Sequence, residues 1–176
     1  MRVTEAVRGS SDIDEAAQIW AEATAARDGS QEVAGLAVSR PVIDAVLARS
    51  AESFVLIARA DASESGDSVA EDDHLTAGFV AVEPVGGARA QVSYLGVRPG
   101  SWGRGTGELL MREVQSRLAA DGCRTAELSV YVDNPRAIAL YERLGWRAVG
   151  EPAAHPRSGK LEQRYELELW AVRGQK

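Results

Sequence analysis

Three glycines at alternate positions, Gly103, Gly105 and Gly107, stand where a strand pattern gives way to a helix pattern, and this junction constrains the chain more than any other feature. Ala90 to Val97 reads as the strand. Leu110, Val114 and Leu118 form the apolar stripe of a helix from Glu108 to Ala120, which Asp121 and Gly122 end, and Thr125 to Val132 is the next strand. A strand, a helix and a strand of these lengths make a crossover unit, which sets the two strands parallel with a right-handed connection. At the turn between them, the missing Cβ atoms let several backbone N–H groups converge on one point, and the helix dipole adds positive potential there. Arg98 and Arg104 bring formal charge beside the turn, so the junction suits a pyrophosphate.

The rest of the chain supplies partners for this unit. Residues 2 to 8 predict a first strand. Ser10, Ser11 and Asp12, with Glu15 three positions on, are helix-start signals for a helix from about 12 to 26, whose buried stripe is Ile13, Ala16, Ala17 and Trp20. Ser39 and Pro41 predict a second helix start, with Val42, Ala45 and Val46 inward. Phe54 to Ala58 and Thr76 to Glu83 read as a hairpin. Asp133, Asn134 and Pro135 open a helix from Arg136 to Leu144, which Gly145 closes. Trp146 to Val149 and Leu161 to Val172 form a last strand pair. No repeat or linker divides the chain, so residues 1–176 are expected to form a single domain, a length that buries a complete core without staples.

Composition excludes several classes. No apolar run reaches the 18 or so residues of a membrane helix, and the first residues lack the basic and apolar regions of a signal peptide, which predicts a soluble cytoplasmic protein without a membrane partner. The formal net charge of -6 argues against nucleic acid as a partner. That charge is local, however. Residues 61–73 hold six acidic side chains and no basic one, while the other 163 positions hold twenty of each sign, so a flexible acidic loop is expected on an otherwise neutral protein. The lone cysteine, Cys123, reads as a small hydrophobe in a strand, and with only two histidines no metal-ligand spacing is present.

Two phosphate-binding templates fail on the glycine turn. The dinucleotide fingerprint needs a third glycine where Glu108 stands, and the P-loop needs a lysine where Thr106 stands. The segment instead resembles the acetyl-CoA motif of the GNAT superfamily of N-acetyltransferases, which runs Arg or Gln, two residues, Gly, one residue, then Gly or Ala. Gly105 and Gly107 match, and Trp102 departs at the first place. Asn134, Ala137 and the run from Leu140 to Trp146 are similar to that family's second motif, an Asn followed by Leu-Tyr-x-x-x-Gly-Phe.

The resemblance implies the GNAT fold, an α/β (α+β) architecture. Its twisted mixed sheet of six or seven mostly antiparallel strands is flanked by about four helices, with the fourth and fifth strands splayed. It implies acetyl-CoA as cosubstrate without a metal, a small-molecule or peptide amine as acceptor, direct attack in a ternary complex, and compatibility with a homodimer. Carried onto this chain, it assigns Leu95, Gly96 and Val97 to the pantetheine arm and the acetyl oxygen. Arg98, Gly103, Arg104, Gly105, Thr106 and Gly107 fall to the pyrophosphate and Asn134 to the arm, where the same amide is also a helix N-cap. Tyr141 is the expected acid for the departing thiolate. Gln91 stands where the family often has a basic Glu, which leaves Glu83, Glu127 or water as the base and a catalytically weak CoA-binding sensor as the alternative function. The resemblance places acceptor specificity in the loops Asp28 to Val38, with Asp28 and Glu32, and Glu151 to Lys160, with Arg157 and Lys160.

Overall fold

The computed structural model describes residues 1–60 and 76–169. The acidic stretch 61–73 and the expected end of the last strand at Val172 lie outside the described residues. The elements are β1 (Arg2–Glu5), α1 (Ser11–Asp28), α2 (Leu36–Arg49), β2 (Phe54–Arg59), β3 (Thr76–Gly86), β4 (Arg89–Val97), a short 3-10 turn (Pro99–Ser101), α3 (Thr106–Ala120), β5 (Thr125–Tyr131), α4 (Pro135–Arg143), β6 (Arg147–Ala154) and β7 (Leu161–Glu168). The strands form one sheet in the order β1-β2-β3-β4-β5-β7-β6. Every neighbouring pair is antiparallel except β4 and β5, which are parallel as the crossover requires.

Both faces of the sheet centre are covered, and the strands alternate between two cores. Leu56, Val80, Val82, Val92, Leu128 and Val130 pack on one face with Leu110, Met111 and Val114 of α3 and Tyr141 of α4. Val55, Ile57, Phe79 and Ala81 pack on the other with Ile13, Ala17 and Ile19 of α1 and Ile43 and Val46 of α2. Among the described residues no helix is long and apolar enough to cross a membrane.

Local chemistry differs from the sequence reading at three places. Helix α1 is capped by Ser10, whose hydroxyl accepts from the Asp12 N–H at 3.2 Å, so Glu15 is free to accept a hydrogen bond from the Thr76 hydroxyl on β3. Helix α2 begins at Leu36 rather than near Ser39: the Gly35 carbonyl accepts from the Val38 and Ser39 N–H groups, and Ser39 turns its hydroxyl back to the same carbonyl. Pro41 is thereby inside the helix. Cys123 precedes β5 rather than lying in it, with its Sγ beside the Ala88 and Thr125 carbonyls.

The feature that positions the site is a short parallel pairing. Strands β4 and β5 are joined only at Arg89–Thr125, Ala90–Ala126 and Gln91–Glu127. Beyond that point β4 follows β3 to the Gly78–Val97 pair, while β5 follows β7 to the Tyr131–Glu162 pair. Ser93 is an extra residue in β4, because Tyr94 opposes Ala81 and Val92 opposes Val82. Such a bulge bends its strand and raises its local twist, which carries β4 away from β5.

Gly96 permits the close packing of the diverging strand. A Cβ there would stand 2.4 Å from Cε1 of Phe79 and 3.3 Å from Cγ2 of Ile19, both fully buried. Gly96→Ala is expected to destabilise the fold by about 1–3 kcal/mol, the usual cost of overpacking a core. A urea melt with an unmoved midpoint would show that the wall is softer than this packing implies.

Candidate active site

The divergence of β4 and β5 opens a cleft of about 1120 Å³ through the sheet. Leu95, Gly96 and Val97 line one wall, and Leu128, Val130 and Tyr131 the other. A shallower depression of about 200 Å³, with Gln91, Glu127 and Arg164 in its lining, lies at the closed end. The larger cleft is the one that gathers the glycine turn, Asn134 and Tyr141.

The glycines of the turn serve two different physical needs. Gly103 and Gly105 have φ of +76° and +83°, a left-handed backbone that side chains rarely adopt. Gly107 instead eases a close approach, since a Cβ would lie 3.2 Å from Cδ2 of Leu140 on α4. Gly105 caps α3 without a side-chain hydrogen bond, which leaves the first-turn N–H groups of the helix uncapped by any side chain. The Thr106 hydroxyl is buried beside them with no hydrogen-bond partner. An orphaned hydroxyl, uncapped amides and a space cleared of Cβ atoms form a donor set suited to a phosphate.

The charges expected beside the turn are placed otherwise. The Arg98 guanidinium holds Glu22 of α1 at 2.8 and 2.9 Å and donates to the Thr76 carbonyl at 2.8 Å, so it ties a helix to the sheet and brings no free charge to the cleft. Arg104 is exposed and outside the cleft lining. Arg136, in the first turn of α4, lines the cleft near the turn and stacks at 4.1 Å over the Trp102 ring. Sequence reasoning named Arg136 only as the start of a helix, although its place two positions after Asn134 was visible.

Asn134 performs the cap: its Oδ1 accepts from the Ala137 N–H at 3.2 Å, while its amide lines the cleft. Tyr141 is 7% exposed and packs against Trp146 and Tyr165 with ring centroids 6.2 and 6.4 Å away, yet it also reaches the cleft wall. Its hydroxyl has no hydrogen bond to any described residue. Burial raises its ionisation well above the usual phenol range, so it holds its proton and remains a donor.

The opposite sheet face supplies the carboxylate. Glu83 of β3 is buried, lines the cleft, and binds the Arg49 guanidinium at 2.8 and 2.9 Å. The bulged Ser93 donates its hydroxyl to the same carboxylate, so the irregularity that opens the cleft also orients Glu83. Glu127 belongs to the shallow depression, where Arg89 and Arg164 hold it at 2.6 and 2.9 Å. The two loops expected to meet the acceptor are bound to each other by the Lys160–Asp28 pair at 2.9 Å. A hydrogen bond from Arg27 first, and from Lys160 next, lowers the Asp28 carboxyl to about 2. Neither Asp28 nor Lys160 is therefore a free charge for a substrate. Around them, Arg27, Lys160 and His155 surround the Tyr131 ring at 5.0, 5.5 and 5.9 Å.

Comparison with known proteins agrees with this geometry. Residues 45–146 match the model of the acetyltransferase (GNAT) family, and the chain belongs to that family. The ribosomal-protein-S18-alanine N-acetyltransferase of Escherichia coli superposes with a TM-score of 0.64 at 19% identity, over 96% of this chain and 94% of that one. The NatC complex bound to Gag peptide and CoA gives a TM-score of 0.67 at 14% identity, over 96% and 98%. Nourseothricin acetyltransferase gives 0.64 at 21% identity, again over 96% and 98%. The seven-stranded mixed sheet with parallel β4 and β5 and four α-helices is thus the GNAT fold.

The state of Tyr141 has a consequence for stability. An unfolded tyrosine ionises near pH 10, whereas the native one keeps its proton to higher pH, so stability falls as pH rises past about 10. Tyr141→Phe should lose less stability than the wild type between about pH 9 and 11 in urea melts. Parallel curves would place the phenol in a more solvated setting than its burial indicates.

Proposed function

We propose that the chain transfers an acetyl group from acetyl-CoA to a primary amine by direct attack within a ternary complex. The observation that carries this reading is the gap between β4 and β5, which opens to both sheet faces and has a protonated phenol on one face and a carboxylate on the other. Bound acetyl-CoA supplies an acetyl group activated as a thioester. The amides of Gly103 to Gly107 and the Thr106 hydroxyl hold its pyrophosphate, and the free main-chain edge of Leu95, Gly96 and Val97 takes the arm. A backbone N–H on that edge meets the charge that develops on the acetyl oxygen. The free N–H groups of the Asn134 amide reach the same arm while Oδ1 keeps the cap.

Proton movements fall to two residues on opposite faces and to water. Glu83 takes the first ammonium proton of the acceptor through water, which compensates for the amide at Gln91. It suits this task better than Glu127, because Glu127 is engaged by two guanidinium groups outside the main cleft. After attack, Tyr141 gives its proton to the departing sulfur, the nitrogen releases its second proton to water, and the phenolate is reprotonated from solvent. The acceptor is a small-molecule or peptide amine entering from the α1 and α2 side. The three similar structures, whose names point to a protein alanine, a peptide and nourseothricin, support that breadth.

Thiol release from acetyl-CoA over a panel of peptide and small-molecule amines tests the reading. Tyr141→Phe is expected to lower kcat about 100-fold, within the range for loss of a general acid, with little change in KM for acetyl-CoA. An unchanged kcat would remove Tyr141 from the reaction. Glu83→Gln should depress kcat/KM for the amine with little change in KM for acetyl-CoA; an unchanged kcat/KM would assign that proton to bulk water.

A further inference from the structure

The glycine turn lacks the Arg or Gln that its motif would carry at position 102 and, with Arg98 on Glu22, the cation predicted from the strand end as well. Trp102 occupies the first place, and its position is fixed. The indole N–H donates to the Val97 carbonyl at 2.8 Å, which pins the ring to the end of β4. Arg136 reaches this ring from α4, on the far side of the divergence, and lies 4.1 Å from the ring centroid. The stack therefore bridges the β4 wall and the α4 wall.

Arg136 is also electrostatically uncommitted. Of the other guanidinium groups lining the cleft, Arg27 pairs with Asp28, Arg49 with Glu83, and Arg143 lies 3.6 Å from Glu108. Arg157 sits on the β6–β7 loop. Arg136 forms no ion pair and no side-chain hydrogen bond with any described residue, although it stacks on the turn's Trp102. Stacking on an indole restrains the guanidinium while leaving its in-plane N–H donors available, the arrangement in which arginine binds phosphate oxygens in pairs.

From this bridge we infer that Arg136, held on Trp102, is a phosphate-binding residue of the CoA site and supplies a positive charge beside a turn whose first motif place is taken by Trp102. The inference rests on the proposed reading of the cleft as a CoA site. It assigns Arg136 a binding role and no part in the acetyl transfer.

Isothermal titration of the full chain with CoA and with dephospho-CoA, which lacks the 3′-phosphate, tests it. Arg136→Ala should weaken CoA binding about tenfold, the order expected for a charge-assisted contact. Equal losses for both ligands would place Arg136 on the pyrophosphate, and a loss for CoA alone would place it on the 3′-phosphate; either supports the inference. Arg136→Lys, which keeps the charge but not the planar stack, should fall between. Trp102→Leu should weaken binding less than Arg136→Ala, and the two losses should not add, because the platform and the cation act as a unit. Arg147→Ala, at an exposed cation on β6 outside the cleft lining, controls for the general loss of one charge. Unchanged affinity of Arg136→Ala for both ligands, with a lowered melting temperature, would show a stack that serves packing only and overturn the inference. Failure of the wild type to bind CoA at all would instead remove the proposed function on which the inference stands.

Discussion

The architecture depends on a parallel strand pair that stops after three residue pairs. Had β4 and β5 continued side by side, their backbone groups would have satisfied one another and the sheet would have closed over the place where the cleft lies. They separate because each is held more strongly elsewhere: β4 stays with β3 along its length and β5 with β7. The extra residue at Ser93 gives β4 the bend it needs, and Gly96 lets the bent strand pass directly over Phe79. On the other side, Gly107 allows α3 to approach Leu140 of α4, so the two helices meet where the strands have parted. The gap is thus held open by packing on both faces.

This construction divides the chemistry by sheet face. The side covered by α3 and α4 is apolar around Tyr141, which keeps the phenol neutral, and it presents amides and one guanidinium to the turn. The side covered by α1 and α2 carries Glu83, whose carboxylate is bound by the Arg49 guanidinium and the Ser93 hydroxyl. A proton donor and a proton acceptor therefore reach one cleft without touching each other, because a sheet stands between them everywhere except in the gap. The Asp28–Lys160 pair joins the end of α1 to the β6–β7 loop, two segments that are far apart in the chain.

Features fixed by local pattern were legible in the sequence. The glycine turn, the crossover, the cap at Asn134 and the apolar stripe of α3 follow from spacing and residue type, and the two motifs made the family visible. What escaped depended on partners remote in the chain. Arg98 follows a strand directly and sits beside a pyrophosphate-type turn, but its direction was decided by Glu22, 76 residues away. Glu83 and Glu127 are equivalent as sequence, both acidic residues on strands, and only the register and the positions of Arg49, Arg89 and Arg164 separate them. Asp28 and Lys160 stand in two loops expected to meet an acceptor, and they neutralise each other when folded. Helix α2 was read late because Ser39 and Pro41 are start signals in isolation, whereas Gly35 had already supplied the first accepting carbonyl.

The early end of the β4–β5 pairing also determines where this sheet keeps its vulnerable edges. Parted strands expose unpaired N–H and C=O groups, and such edges on the outside of a protein invite pairing with other chains. Here two short edges face each other inside a cleft roofed by helices, where a neighbouring chain cannot lie flat along them. An extended ligand that carries its own amides, narrow enough to enter, is matched to that edge. Enclosure thus turns an aggregation hazard into a size filter: backbone-like partners as slender as a single strand are admitted, and folded sheets are refused.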